Sequence, residues 1–596
     1  MKNARRHRGR VGPLLGRSTM VLLILVLLIA GCSQGQPAPA SDVAPTAAGA
    51  PTEPTTESGK TSEPTAAPTT APTAAVAPTT EATPDEGTPS SEAGPPQYGG
   101  IMTVAQPFGP ITLDPMIDPG ADGIYILEQV MEGLMRIYED GSIGPGLAES
   151  WEISDDQLVW SFKLREGVKF QNGDPFTADD VIFTFNRLMD PDGVASFKAL
   201  YIDHIEKVEK VDDFNVKITM KAPWPAFPVF ASTNHTKILN QRNVEEAGDQ
   251  FGFTIMPVGT GFFKLDRWDK DDQVVLVKNE DYWQEGLPYL DGIVYKLVKD
   301  SQVAKLSITT GQVDVLQDPP VDQLPELQKN PDVKVLSAPG GAQMLIDVNL
   351  DKPPFDDVRV RKAISMAIDR QQIVDVVFYG TAEVANDFFP SWFWADNPDF
   401  EIPYDPERAK ALLAEAGYGP DNPLKFTLFV YNFIPYTDIG QIVQAQLAQI
   451  GVQMDVQAFD SATAISYMNK PEKRPQMEAV LFRHIARANH YEFSGNRYSA
   501  NGKLNWSGYN KGSKVQNPHA QELFDQVEPL QDFDEGDQEK ARPIYDELAQ
   551  IVLVDDVVQI MLVHQANVDV VRNRVQGYPS SAYDWQPYWK TWLSQK

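Results

Sequence analysis

Residues 33 to 97 contain no aromatic side chain, and Val43 and Val76 are their only larger aliphatic residues. A stretch built mainly from Ala, Pro, Thr, Ser, Glu and Gly buries too little surface to offset the entropy of ordering it. It is expected to act as a tether, and a flexible coil of this length spans roughly 40–50 Å at about 5–6 Å × √n. Packing is thereby confined to the chain after Tyr98, which is 498 residues of globular composition. Single cores rarely grow past about 250–300 residues, so at least two lobes are predicted.

The tether is preceded by a basic head, with Lys2, Arg5, Arg6, Arg8, Arg10 and Arg17 and no acid, and by an apolar run of 11 residues from Met20 to Ala30. A membrane span needs about 20, so residues 1–31 read as an export signal. The run closes on Ile29-Ala30-Gly31-Cys32, which resembles a lipobox. Cys32 is the only cysteine in the chain, so no intramolecular disulfide forms, and its expected role is lipidation, each buried CH₂ contributing about 0.8 kcal/mol to membrane anchoring. Removal of the signal takes away six positive charges and moves the formal charge from −31 to −37. Such an acidic protein is repelled by nucleic acid and by anionic headgroups.

The most informative stretch runs from Gly146 to Met189. Val159, Ser161 and Lys163 alternate with Trp160, Phe162 and Leu164, the period of a strand with one face in a core. Asn172-Gly173-Asp174-Pro175 then breaks the ladder. Thr177-Ala178-Asp179-Asp180 has the form of a capping box opening a helix through Val181, Phe185 and Leu188. Leu147 to Trp151 followed by Phe162 to Val181 resembles the signature of the family 5 extracellular solute-binding proteins, the dipeptide, oligopeptide and nickel receptors of ABC importers. Glu132-Gly133-Leu134 and Asn279-Glu280-Asp281-Tyr282-Trp283 match the same family.

The rest of the chain reads as α/β. Apolar spacing from Ile124 to Leu134 predicts a helix to about Met135, and the glycines of Gly259-Thr260-Gly261 suit a backbone that turns tightly or approaches another closely. Asp357, Asp369 with Gln372, and Asp405-Pro406 read as helix starts, and Gly417 and Gly451 as stops. Val452, Met454 and Val456 alternate as a strand. The resemblance implies a two-lobed, periplasmic-binding-protein-like fold of type II (Venus-flytrap), with an extra subdomain in the first lobe. The expected division is a signal at 1–31, a tether at 32–97, lobe I at 98–305 including a subdomain at about 139–230, lobe II at 306–560, and a C-terminal return to lobe I at 561–596.

No catalytic constellation stands out: there is no H-E-x-x-H, no P-loop and no cysteine pair. The acidic pairs Asp179-Asp180 and Asp356-Asp357 sit where free helix N–H groups favour negative charge. Neither an enzyme activity, a cofactor nor a resident metal is expected. Trp392 and Trp394, spaced i, i+2, would form one wall of an extended segment. The run from Leu481 to Tyr491 falls where peptide-binding members carry an aspartate for the peptide ammonium, yet Arg483, His484, Arg487, His490 and Tyr491 stand there instead. Arginine offers a fixed fork of donors, so this segment suits a carboxylate, phosphate or sugar hydroxyls; surface pairing of Arg483 and Arg487 with acids is the competing reading. Tyr498, Asn505 and Trp506 are further cleft candidates.

The resemblance thus implies a lipid-anchored, extracytoplasmic receptor, expected as a monomer, that closes around a small solute and hands it to an ABC permease and its ATPase. A peptide is the favoured solute. Alternatives are an oligosaccharide or a chelated metal as ligand, or a sensor not coupled to transport; a secreted hydrolase has no supporting feature.

Overall fold

The computed structural model describes residues 94–117, 120–138, 142–432, 435–460, 477–485, 489–532, 534–580 and 587–595. The export signal, Cys32, nearly all of the tether, Arg487, Tyr583 and Trp585 lie outside them. Two large hydrophobic cores organise these residues. One runs from Met102 to Tyr295 and takes in Val571, Val575, Tyr588, Trp589 and Leu593 from the end of the chain. The other runs from Met344 to Val563.

A single mixed sheet connects them, made among the described residues of eleven strands. The early strands are β1 (Ile101–Gln106), β2 (Phe263–Asp269), β3 (Gln273–Lys278), β4 (Gly292–Leu297) and β5 (Val315–Gln317). After them come β6 (Val333–Val348), β7 (Glu383–Val384), β8 (Lys425–Tyr431), β9 (Gln453–Phe459), β10 (Ala479–Ile485) and β11 (Gln559–Arg572). The order is β9-β8-β10-β6-β11-β5-β1-β4-β3-β2, with β7 paired to β11. β6 and β11 are long enough to belong to both lobes. Their antiparallel ladder carries the first lobe's neighbour β5 at one end and the second lobe's β10 at the other.

This ladder breaks between Ala338 and Ala342, at Pro339-Gly340-Gly341. Proline lacks the ladder donor, and a Cβ on Gly340 would stand 2.5 Å from the Gln565 carbonyl oxygen. The crossing therefore needs glycine for close approach and interrupts the ladder where the lobes join. Residues 306–332, expected in lobe II, pack with the first lobe: β5 bonds to β1, and Ile308, Val313, Leu316 and Leu327 share a cluster with Ala105 and Val570.

A separate four-stranded sheet, Ala148–Ile153, Val159–Leu164, Asn215–Met220 and Ile205–Asp212 in spatial order, lies within the first-lobe region. Trp160, Phe162 and Leu164 point into its core, as their alternation predicts. Helix Ala178–Leu188 starts on the predicted capping box. The Thr177 side chain accepts from Asp179 N at 3.3 Å, and Asp180 accepts from Thr177 N at 3.1 Å. Asp357 and Asp405 cap their helices likewise. Asp369 accepts from Gln372 N, but the Gln372 side chain accepts from Gln446 instead of closing the reciprocal box.

The helix expected to reach Met135 ends at Val130. Tertiary packing stops it: Val130 O accepts from Gly261 N at 2.9 Å, and a Cβ on Gly261 would lie 2.5 Å from Val130 C. The chain is then extended at Met131, which brings Glu132 inward. Its carboxylate accepts from Arg136 (2.5 Å), Thr260 (2.9 Å), Tyr282 (3.0 Å) and Trp283 (3.0 Å). The Glu-Gly-Leu and Asn-x-x-Tyr-Trp motifs thus meet in one buried polar knot.

Candidate ligand-binding cleft

Strand direction locates the cleft. In the first lobe β1 runs parallel to β4 and β5, and in the second β8 runs parallel to β9 and β10. Open α/β sheets receive ligands outside the carboxyl ends of such strands, where free peptide groups and helix N-termini collect. The register shows where these ends point. Gln317, ending β5, is opposite Asp569. Ile485, ending β10, is opposite Ala342, itself opposite Gln565. Both sets of carboxyl ends converge on the crossing at 338–342 and 565–567.

On the first-lobe side, Gln106 donates to Gln317 (2.9 Å), and Gln317 donates to the Tyr588 hydroxyl (2.9 Å). Beside them Asp122 accepts from Phe108 N at 2.8 Å. Burial, with Asp318 nearby adding to it, pushes the Asp122 carboxyl up to about 7. Phe108 itself is 73 % exposed at the carboxyl end of β1.

On the second-lobe side, Arg483 lies near the end of β10, opposite Met344. It is partly buried, and its Nε is buried without a hydrogen-bond partner. Its charge acts on Tyr436, at the start of helix Tyr436–Gln449, although burial dominates there and pushes the Tyr436 hydroxyl up to about 12. Tyr436 packs edge-on to Tyr431, the last residue of β8, at 4.7 Å. A cation and two tyrosines therefore gather at the carboxyl ends of neighbouring strands. Tyr431 and Tyr436 were not singled out in the sequence; the position of Tyr431 at the end of an apolar strand was the available signal.

The other candidates divide differently. His484 is buried and its Nε2 bonds to Glu492 O at 3.1 Å. His490 is buried with Nδ1 2.8 Å from Asp532, which also holds Asn489 and the Trp394 indole N–H. Asn505 donates to Ser499 O and Tyr509 O, both at 2.7 Å, and the hydroxyl of fully buried Tyr498 lies 3.7 Å from Met561 Sδ. These four side chains are engaged in the second lobe's own packing. Asp532 organises that polar layer, and its place between two helices gave no motif to flag it.

Trp392 and Trp394 do not lie on an extended segment: Phe393 N bonds to Pro390 O and Asp396 N to Phe393 O, so the run is a pair of turns, with both indoles against Phe393. Trp392 meets Phe393 and Phe493 edge-on, whereas Trp394 faces His490 and Arg542. Tyr491 is partly buried, its hydroxyl pushed up to about 12 chiefly by burial. Trp506 packs edge-on to Phe482 at 4.7 Å, with the buried guanidinium of Arg497 5.6 Å from its ring.

Comparison with known proteins agrees with this architecture. Residues 142–505 match the model of bacterial extracellular solute-binding proteins, family 5 Middle. The glutathione-binding protein GsiB of Escherichia coli O1:K1 / APEC is 35 % identical over 351 residues, covering 59 % of this chain and 68 % of GsiB. Among solved structures, HbpA2 from Haemophilus parasuis superposes with a TM-score of 0.73 at 25 % identity, covering 83 % of this chain and 100 % of its own. DppA from Helicobacter pylori, an ABC transporter-associated periplasmic binding protein in complex with the peptide STSA, gives 0.68 at 25 % identity, covering 84 % and 99 %.

Proposed function

Since the chain belongs to the bacterial extracellular solute-binding proteins of family 5, and so serves as the substrate-binding component of an ABC importer, we propose that it captures a short peptide or peptide-like solute whose carboxylate is held by Arg483. The observation that carries this reading is the placement of Arg483. It is a partly buried cation with an unsatisfied Nε, standing with Tyr431 and Tyr436 where both lobes' strand ends converge. Arginine presents a planar donor fork that matches a carboxylate, and the adjoining rings offer apolar surface for a side chain. Arg487, four positions further along and outside the described residues, is kept as a second cationic candidate on the strength of the sequence. Trp506, on Phe482, and Tyr491 and Trp392, beside the Glu492–Phe493 turn that holds His484, belong to the face of β10 opposite Arg483 and are not included in this proposed site.

The mechanism is binding without covalent change. A solute in the open cleft touches both lobes only when they close, and the closed population rises by its differential affinity for that state. The closed form is the one presented to the permease. Lipid on Cys32 and the tether of 32–97 would keep the folded lobes near the membrane while leaving them free to turn. The chain is proposed to act as a monomer without catalysis. A glutathione-binding relative at 35 % identity supports a peptide-sized ligand.

Native mass spectrometry of protein purified without refolding tests the ligand class. A co-purified peptide supports the reading, and a sugar or metal chelate would overturn it. Calorimetric titration with glutathione and small peptides as probes then tests the residue. Loss of a charge-assisted bidentate contact of about 1.5–3 kcal/mol predicts that Arg483→Ala weakens the binding peptide roughly 10- to 150-fold. Unchanged affinity removes Arg483 from the site.

A further inference from the structure

Away from the paired strands, two polar contacts join the lobes among the described residues. Gln531 Nε2, between two second-lobe helices, donates to Gln157 Oε1 at 2.8 Å. Gln157 stands at the tip of the hairpin between Ala148–Ile153 and Val159–Leu164 of the first lobe. Lys503 of the second lobe lies 3.6 Å from Asp203 of the first.

The two contacts differ in weight. Lys503 and Asp203 are 66 % and 60 % exposed, and such pairs contribute little and are screened by salt. Gln531 is only 6 % exposed and its backbone N is tied to Asp537. Gln157 is held at φ 57°, a left-handed conformation costly for a residue with a Cβ. The turn holds it there. Gln157 N bonds to Ser154 O at 2.7 Å, Ser154 Oγ accepts from Val159 N at 2.9 Å, and Asp156 accepts from Ser154 Oγ (2.6 Å) and Leu158 N (3.1 Å). The turn thus fixes the backbone from which Gln157 reaches the other lobe, so the entropy lost when the contact forms is that of the side chain alone.

We propose that Gln157 and Gln531 form a clasp that sets the closed fraction of this receptor, so that ligand affinity is tuned by positioning residues outside the ligand site. An amide pair of this kind shifts the closed-to-open ratio about 2- to 10-fold. Ligand affinity rises in the same proportion while the ligand-free receptor is mostly open. The inference rests on the receptor reading only through lobe closure, and its test needs no ligand, so it stands or falls separately from the assignment of Arg483.

Because Cys32 is the only cysteine, the full chain carrying Cys32→Ser accepts a pair of spin labels cleanly. Val211→Cys and Val376→Cys place one on each lobe at positions 55 % and 53 % exposed. Double electron–electron resonance on ligand-free protein should show a short-distance population. Gln157→Ala should deplete it about 2- to 10-fold relative to the long one, and Gln531→Ala in the same chain should add nothing. Gln157→Asn keeps a side chain that tolerates the left-handed turn but shortens its reach, and should deplete the short population with an unchanged unfolding temperature. Absence of the short population in the parent, an unchanged ratio in Gln157→Asn, or full additivity of the two alanine variants each overturns the clasp.

Discussion

Replacing Glu132 by alanine removes the acceptor at the centre of the first lobe. The side chains of Glu132 and Arg136 are 4 % and 10 % exposed, so the ion pair between them is shielded from solvent. Removing one partner of such a pair costs about 3–5 kcal/mol, because the remaining charge stays buried. Thr260 and Trp283 also lose their acceptor, whereas the Tyr282 hydroxyl keeps Gln284 Oε1 at 3.1 Å. Each orphaned donor costs about 1–3 kcal/mol if it stays dry. A small cavity of about 10 Å³ beside Glu132 and Arg136 is the size of a single water, and the truncation enlarges it, so water would recover part of that loss. The expected net is therefore about 3–5 kcal/mol for Glu132→Ala, and less for Glu132→Gln, which retains one acceptor.

Urea unfolding of the full chain, followed by tryptophan fluorescence, measures this. With two separate cores, the transition of the first lobe should move to lower urea while that of the second stays in place. Arg136→Met in a Glu132→Leu background should restore the part of the loss that comes from the unpaired charge, since both charges are then gone. A loss under about 1 kcal/mol, or an equal shift of both transitions, would refute the claim that this knot holds the first lobe specifically.

The crossing itself is expected to be sensitive to acid. Burial pushes His564 down to about 4, so it is neutral when folded. Unfolded, it titrates near 6.5, so stability is intact above that pH and falls as pH drops toward 4, by about 1.4 kcal/mol per unit. His564→Gln should flatten roughly 3 kcal/mol of that loss in denaturation curves between pH 7 and 4, and an unaltered slope would show that other groups carry it. Gly261→Ala forces a Cβ against the backbone of Gln129 and Val130. Over-packing against unyielding atoms costs about 1–3 kcal/mol or more, and thermal unfolding unchanged within 1 °C would mean the strand shifts freely.

Local signals were legible in the sequence because their physics is local. The Thr177 cap, the Asp357 and Asp405 helix starts and the alternation from Val159 to Leu164 depend on neighbours within a few residues. The same side-chain rules apply wherever they occur. The composition change at Tyr98 forced two lobes, and the motifs named the family. The close approach expected of Gly259 and Gly261 is present, although the partner, Val130, is remote in sequence and also cuts short the helix that periodicity extended to Met135.

The tertiary structure decided what each polar residue is for. His484, His490 and Arg483 look alike in sequence, as nitrogen-bearing side chains on one short run. Strand register then turns His484 toward Glu492 and leaves Arg483 with Tyr436, while Asp532 takes up His490 from 42 positions away. Gln157 and Gln531, 374 residues apart, meet only because the lobes face each other across the crossing. A binding cleft is assembled from strand ends whose neighbours are set by hydrogen-bond register, and register between distant strands is fixed by packing of whole cores. Composition and motifs therefore determined the class of molecule, whereas the long antiparallel ladder of β6 and β11 determined where its ligand can sit.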